Sequence, residues 1–291
     1  MRFLVKKYSV VFQFLVMMTF FVLSANSQSV MSPKKLSEYR CLYAIGEYER
    51  ILGDLQANDF KVDFDLLLLS GNIFHKMGDY ENAIQAYSQA MQLQDNAELL
   101  ALRAAAYLDL GVMDLCIEDL NEAKRKLPDD PYLYFTMGNY SLDMGDMKNA
   151  LKNYKKSIAL NPDDEKVYFM MAVTYNEMGN FKRSIELFES LSNNFPQAKY
   201  NIAISYLQND QPQVANELLD QLSTVYKDDS DFFFFRAESK FFQQDKSGAC
   251  LDYKTAADLG DEEASSIYDK YCLQNKKKAK SSRINSGAVQ F

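Results

Sequence analysis

The chain is poor in residues that interrupt helices. Six prolines and eleven glycines among 291 residues are too few for collagen, a disordered chain or a turn-rich β architecture. Histidine occurs once, as His75, and no GxSxG, HExxH, P-loop or GxGxxG segment accompanies it. A general base needs a nucleophile or carboxylate held close. The pattern therefore offers no catalytic residue and points to a non-enzyme without a cofactor. Four cysteines, Cys41, Cys116, Cys250 and Cys272, form no CxxC pair and no Cys/His cluster, which argues against a metal site. Tryptophan is absent, which excludes nothing about function.

Basic residues are scarce except at the two ends. The first 27 residues carry Arg2, Lys6 and Lys7 without an acid; the end carries Lys276, Lys277, Lys278, Lys280 and Arg283, again without one. All 40 acidic residues lie between, beside 24 basic ones. Such a body repels phosphates, so nucleic acid is not an expected partner. The basic end reads as a solvated, disordered tail over 274–291.

No apolar run is long enough for a comfortable membrane span of about 20 residues. Val10 to Leu23 is the nearest approach, preceded by the basic start and followed by Ala25 and Ser27. These are the parts of an export signal over 1–27, with Gln28 as the first mature residue. The expectation is an exported protein, periplasmic or extracellular, with no stable membrane insertion after cleavage. An uncleaved anchor is the alternative.

What the chain has in abundance is repetition. Small residues recur at Gly71, Ala104, Gly138, Ala172, Ala203 and Ala237, with spacings of 33, 34, 34, 31 and 34. Twelve residues after each stands another small one: Ala83, Cys116, Ala150, Ser184, Ala215 and Ala249. Sixteen after each stands a large apolar one: Tyr87, Leu120, Tyr154, Phe188, Leu219 and Tyr253. Proline closes three of the units, at Pro128, Pro162 and Pro196. Gly78, Gly111, Gly145 and Gly179 sit where a first helix would end in a left-handed cap, and Asp210 and Gln244 take that place in the last two units. The pattern predicts helical hairpins: two helices that approach through small residues, with large side chains filling the space beside them. One hairpin cannot bury its apolar face alone, so neighbours stack.

"GNIFHKMGDYENAIQAYSQA" and "RAAAYLDLGVMDLCIEDLNEA" resemble the tetratricopeptide repeat. The resemblance implies an all-α, right-handed α-solenoid of stacked hairpins over 28–261: six clear units, plus a divergent first one with Tyr39 in the small slot. A capping helix over 262–273 would close it. The closing phrase resembles the ends of repeat proteins exported by Bacteroidota-type bacteria. Cys116 fills a small slot and reads as core, as does Cys41. Cys250 and Cys272 lie where two antiparallel helices could bring them together, as a disulfide in an oxidising compartment or as two reduced thiols.

The resemblance also implies a concave groove lined by first helices. Two positions per unit face it: three residues before the small one and one residue after. The earlier position reads Leu68, Ala101, Phe135, Phe169, Tyr200 and Phe234; the later reads Asn72, Ala105, Asn139, Val173, Ile204 and Glu238. His75 lies near the groove or surface. Members of the family that clamp chaperone carboxylates carry lysines at such places, and here they are missing. The groove therefore suits a protein or peptide segment with apolar anchors and basic or neutral charge, its backbone held by Asn72 and Asn139. Some of these aromatics would instead pack between units. Two other readings are a self-assembling structural component of an envelope or secretion complex and a glycan-binding protein.

Overall fold

The structure is a computed structural model that describes residues 31–273 apart from 59 and 192–195. The export-signal stretch 1–27 and the tail 274–291 lie outside the described residues. The described elements are α1 (Pro33–Ala44), α2 (Tyr48–Ala57), α3 (Phe64–Lys76), α4 (Tyr80–Leu93), α5 (Glu98–Asp109), α6 (Met113–Lys126), α7 (Pro131–Asp143) and α8 (Met147–Leu160). They continue with α9 (Glu165–Glu177), α10 (Phe181–Leu191), α11 (Pro196–Gln208), α12 (Pro212–Leu222), α13 (Ser230–Phe242), α14 (Lys246–Asp258) and α15 (Glu262–Ile267), ending in a π-helical turn, Tyr268–Leu273. The architecture is all-helical, and successive helices pair as antiparallel hairpins. Two compact units divide the chain between Thr136 and Met137, within α7.

Each hairpin turn ends one helix and begins the next in three residues. Gly78 takes φ of 76°, and the Asp79 amide donates back to the Phe74 carbonyl at 2.9 Å. Asp79 then caps α4, accepting from the Asn82 amide. Asp146 and Asp245 cap α8 and α14 in the same way. Where glycine is missing the geometry persists: Asp210 and Gln244 adopt φ of 57° and 67°. Left-handed backbone costs an L-residue roughly 1–2 kcal/mol, so the two last repeat turns carry strain that the earlier ones avoid.

The core is a series of small clusters, each joining a hairpin to the helix after it. In the first unit, Tyr39, Ile51, Leu55, Leu66, Leu69 and Ile73 form one such cluster across α1 to α3. Tyr39 is fully buried and its hydroxyl donates to Asp54 at 2.9 Å. In the second unit, Ala172, Ile185, Phe188 and Leu191 pack with Ala198 and Ile202 of α11. The closing cluster joins Ala237, Ala249, Tyr253 and Ala256 to Ala264 of α15.

Cys116 is buried, whereas Cys41 is an exposed thiol, contrary to the expected core position. Tyr39 occupies the buried side of α1, which turns Cys41, two residues on, outward. A disulfide joins Cys250 to Cys272, with Cα atoms 5.8 Å apart. The closing segment is only half α-helix: α15 gives way to the π-helical turn that carries Cys272.

Candidate functional site

The first helices carry the candidate side chains one turn apart, because residues at i and i+4 share a helix face. The anchor position is half-buried in five hairpins, and Ala101 is buried. In the first unit Leu68 leans on the cluster around Leu67, Phe74 and Tyr87, and Phe135 lies 6.1 Å from the Tyr132 ring. In the second, Phe169 meets Phe188 edge-to-face at 5.2 Å. Tyr200 stacks on Tyr226 at 5.1 Å. Its hydroxyl is buried without a hydrogen-bond partner, and burial pushes the phenol pKa up. Phe234 meets the Tyr253 ring edge-to-face at 5.9 Å. Each of these anchors serves the fold on one side and leaves part of its surface accessible.

The later position is built differently from the expectation. Asn72 Oδ1 accepts from the Tyr87 hydroxyl at 2.9 Å, and Asn139 Oδ1 accepts from Tyr154 at 2.8 Å. Glu238 accepts from the Tyr253 hydroxyl. In the three other hairpins the second-helix residue is Leu120, Phe188 or Leu219, and the first-helix residue opposite is Ala105, Val173 or Ile204. A polar residue stands in the slot wherever tyrosine follows fifteen residues later. The asparagines are thus already half engaged: the oxygen serves the fold and only the Nδ2 donors are left for a partner. Burial raises the pKa of Tyr87, Tyr154 and Tyr253, with the Glu238 hydrogen bond and the charges of Glu238 and Glu263 adding to it at Tyr253.

His75 is a clasp. Its Nε2 lies 2.7 Å from Asp109 Oδ2 of the next first helix, and its ring meets Tyr80 edge-on at 5.7 Å. Asn176 occupies the same repeat position and donates to Gln208 of α11, while Ser205 donates to Asn176 at 2.7 Å. His75 thus joins two hairpins, with a carboxylate partner but no nucleophile beside it.

Sequence reasoning missed the ion pairs inside hairpins. Arg103 forms a bidentate pair with the buried Asp119, at 2.8 Å on both arms, and also donates to Ser88. Arg236 pairs with the buried Asp252 at 2.8 and 2.7 Å, and Lys240 reaches the same carboxylate at 2.7 Å. The available signal was an arginine directly before the small slot with aspartate sixteen residues on. Among the described residues, no group of three or more His, Cys, Asp or Glu is placed to hold a metal, and no helix is long and apolar enough to cross a membrane.

Comparison with known proteins matches this geometry. A family model described as TPR repeat covers residues 71–111, and one described as tetratricopeptide repeat covers residues 141–203. A tetratricopeptide repeat protein from Parabacteroides merdae, 19% identical, superposes with a TM-score of 0.55 over 81% of this chain and 97% of that one. The APC/C hetero-tetramer Cut9–Hcn1, 14% identical, gives 0.65 over 81% of this chain and 48% of that one. At such identities the likeness is one of fold. The Hsp70-Hsp90 organizing protein of Triticum aestivum is 44% identical over 55 residues, 19% of this chain and 10% of that protein. Organizing protein 1 of Arabidopsis thaliana is 46% identical over 54 residues, 18% of this chain and 9% of that one. The matched stretch therefore spans about a tenth of these relatives' length. Residues 71–111 and 141–203 match tetratricopeptide repeats, and the described chain is built of stacked helical hairpins whose fold is that of the solved repeat proteins.

Proposed function

We propose that the protein is a non-catalytic scaffold of the cell envelope that binds a segment of a protein partner through side chains of its first helices. The observation that carries this reading is the half-buried anchors on the first helices of each unit, Leu68 and Phe135 in the first and Phe169, Tyr200 and Phe234 in the second, with a tyrosine-backed donor in each, Asn72 and Asn139. Aromatic anchors beside fixed polar groups are the usual energetic centres of recognition surfaces. The Hsp70-Hsp90 organizing proteins, whose name marks them as organisers of other proteins, match over 54–55 residues and support a binding role. An envelope location is supported by the signal-like N-terminus and by the Cys250–Cys272 disulfide, since such bonds persist in oxidising compartments.

The test is a selection of random twelve-residue peptides displayed on mRNA against the full chain. Binders should carry spaced apolar anchors, and the Phe135→Ala/Phe169→Ala double variant should lose them by at least about tenfold in affinity. Thermal melting of the variant is the control for its fold. Unchanged binding by a folded double variant would remove the first-helix face from the proposal.

A further inference from the structure

Of the three tyrosine-backed slots, two hold a hydrogen-bond donor and one holds a carboxylate. Glu238 stands on α13 in the place that Asn72 and Asn139 take on α3 and α7, and the Tyr253 hydroxyl fixes it as in those hairpins. It is half-buried. The cations of its own helix are committed elsewhere: Arg236 and Lys240 both bind Asp252. No ion pair to Glu238 occurs among the described residues. Negative charge is reinforced there, because Glu263 of α15 acts on the same Tyr253 phenol. One turn earlier Phe234 lies against the Tyr253 ring, on the face that Glu238 shares.

A half-buried carboxylate held in place but left without a cation is an incomplete ion pair. An apolar ring beside it can take the aliphatic stem of a lysine or arginine whose charged head reaches the carboxylate. We infer that Phe234, Glu238 and Tyr253 form a subsite for a lysine or arginine side chain of the partner segment. This rests on the binding reading above and deepens it. The slots differ in chemistry: Asn139 presents a donor, Val173 and Ile204 are apolar, and Glu238 accepts a cation. The recognised segment is therefore apolar with a basic residue aligned to α13.

The same peptide selection tests this separately from the binding face. Peptides selected on the full chain should be enriched in Lys or Arg at one fixed distance from their apolar anchors. Replacing that residue by norleucine should weaken binding about tenfold, as expected for loss of one charge-assisted hydrogen bond. Glu238→Gln keeps the acceptor for Tyr253 and should abolish the basic preference; Glu238→Lys should replace it by Asp or Glu. Apolar binders with no basic preference, or the same preference on Glu238→Gln, overturn the subsite and leave the binding face standing. A library that yields no binder overturns both.

Discussion

Two neighbouring hairpins of the first unit solve one packing problem with different chemistry. In α3/α4 the large residue is Tyr87, and room for its ring comes from Gly71, where an added Cβ would lie 2.5 Å from the ring. The tyrosine hydroxyl then needs an acceptor, which Asn72 supplies. In α5/α6 the corresponding residues are Ala104, Leu120 and Ala105, all buried, with no polar atom to satisfy. That hairpin is held instead by Arg103 and Asp119, where α3/α4 has Ser70 and Ala86. In these two hairpins the choices are linked: Tyr87 comes with a glycine and an amide, and Leu120 needs neither.

The largest effect should come from removing the ion pair. Asp119→Ala leaves Arg103 half-buried without its carboxylate, at a cost of roughly 2–3 kcal/mol after allowance for partial exposure. Urea unfolding would measure this, and the equivalent Ala86→Ser in α3/α4 should change little. Next comes Gly71→Ala, which forces a methyl into the Tyr87 ring and should cost about 1–3 kcal/mol. Gly71→Ala/Asn72→Ala/Tyr87→Leu copies the α5/α6 solution and should recover most of that loss. A triple variant no more stable than the single one would break the idea of linked choices.

Smaller is Tyr87→Phe, at about 1 kcal/mol for the lost hydroxyl–amide bond, read by the same unfolding curves. This substitution also sharpens the comparison at high pH. Burial lifts the Tyr87 phenol above its ordinary pKa. Its contribution to stability is therefore complete below the unfolded value of about 10 and is lost as pH rises above it. Unfolding titrations between about pH 9 and 11 should show a shallower decline for Tyr87→Phe than for the parent chain. The smallest change is at the strained turns. Gln244→Gly should stabilise by about 0.5–1 kcal/mol, because glycine takes positive φ freely while adding some unfolded-state entropy. Gly111→Ala in α5/α6 should do the reverse.

The hairpin framework was legible because small residues, glycines and large apolar residues repeat with a fixed offset. The role of Asn72 and Asn139 was not, although both members of each pair were visible. An asparagine on a groove-facing helix reads as a ligand contact until the tyrosine fifteen residues away is placed opposite it. His75 was obscured for a related reason: its partner Asp109 belongs to the next hairpin, and only stacking brings them to 2.7 Å. Cys41 misled because the divergent first hairpin buries a tyrosine where the other units bury a small residue, which leaves the neighbouring thiol outside. Glu238 stands apart because its meaning depends on what Arg236 and Lys240 are already bound to.

The Cys250–Cys272 bond closes a covalent ring of 22 residues in sequence separation around the end of α14, the Gly260 turn and α15. Lys254 lies inside that ring and is exposed, so a cut after it would leave the two pieces joined. Such a nicked molecule keeps its full mass on a non-reducing gel and falls into two pieces only when a thiol is added. Damage to the end of the array is thereby made invisible to size and visible only to reduction.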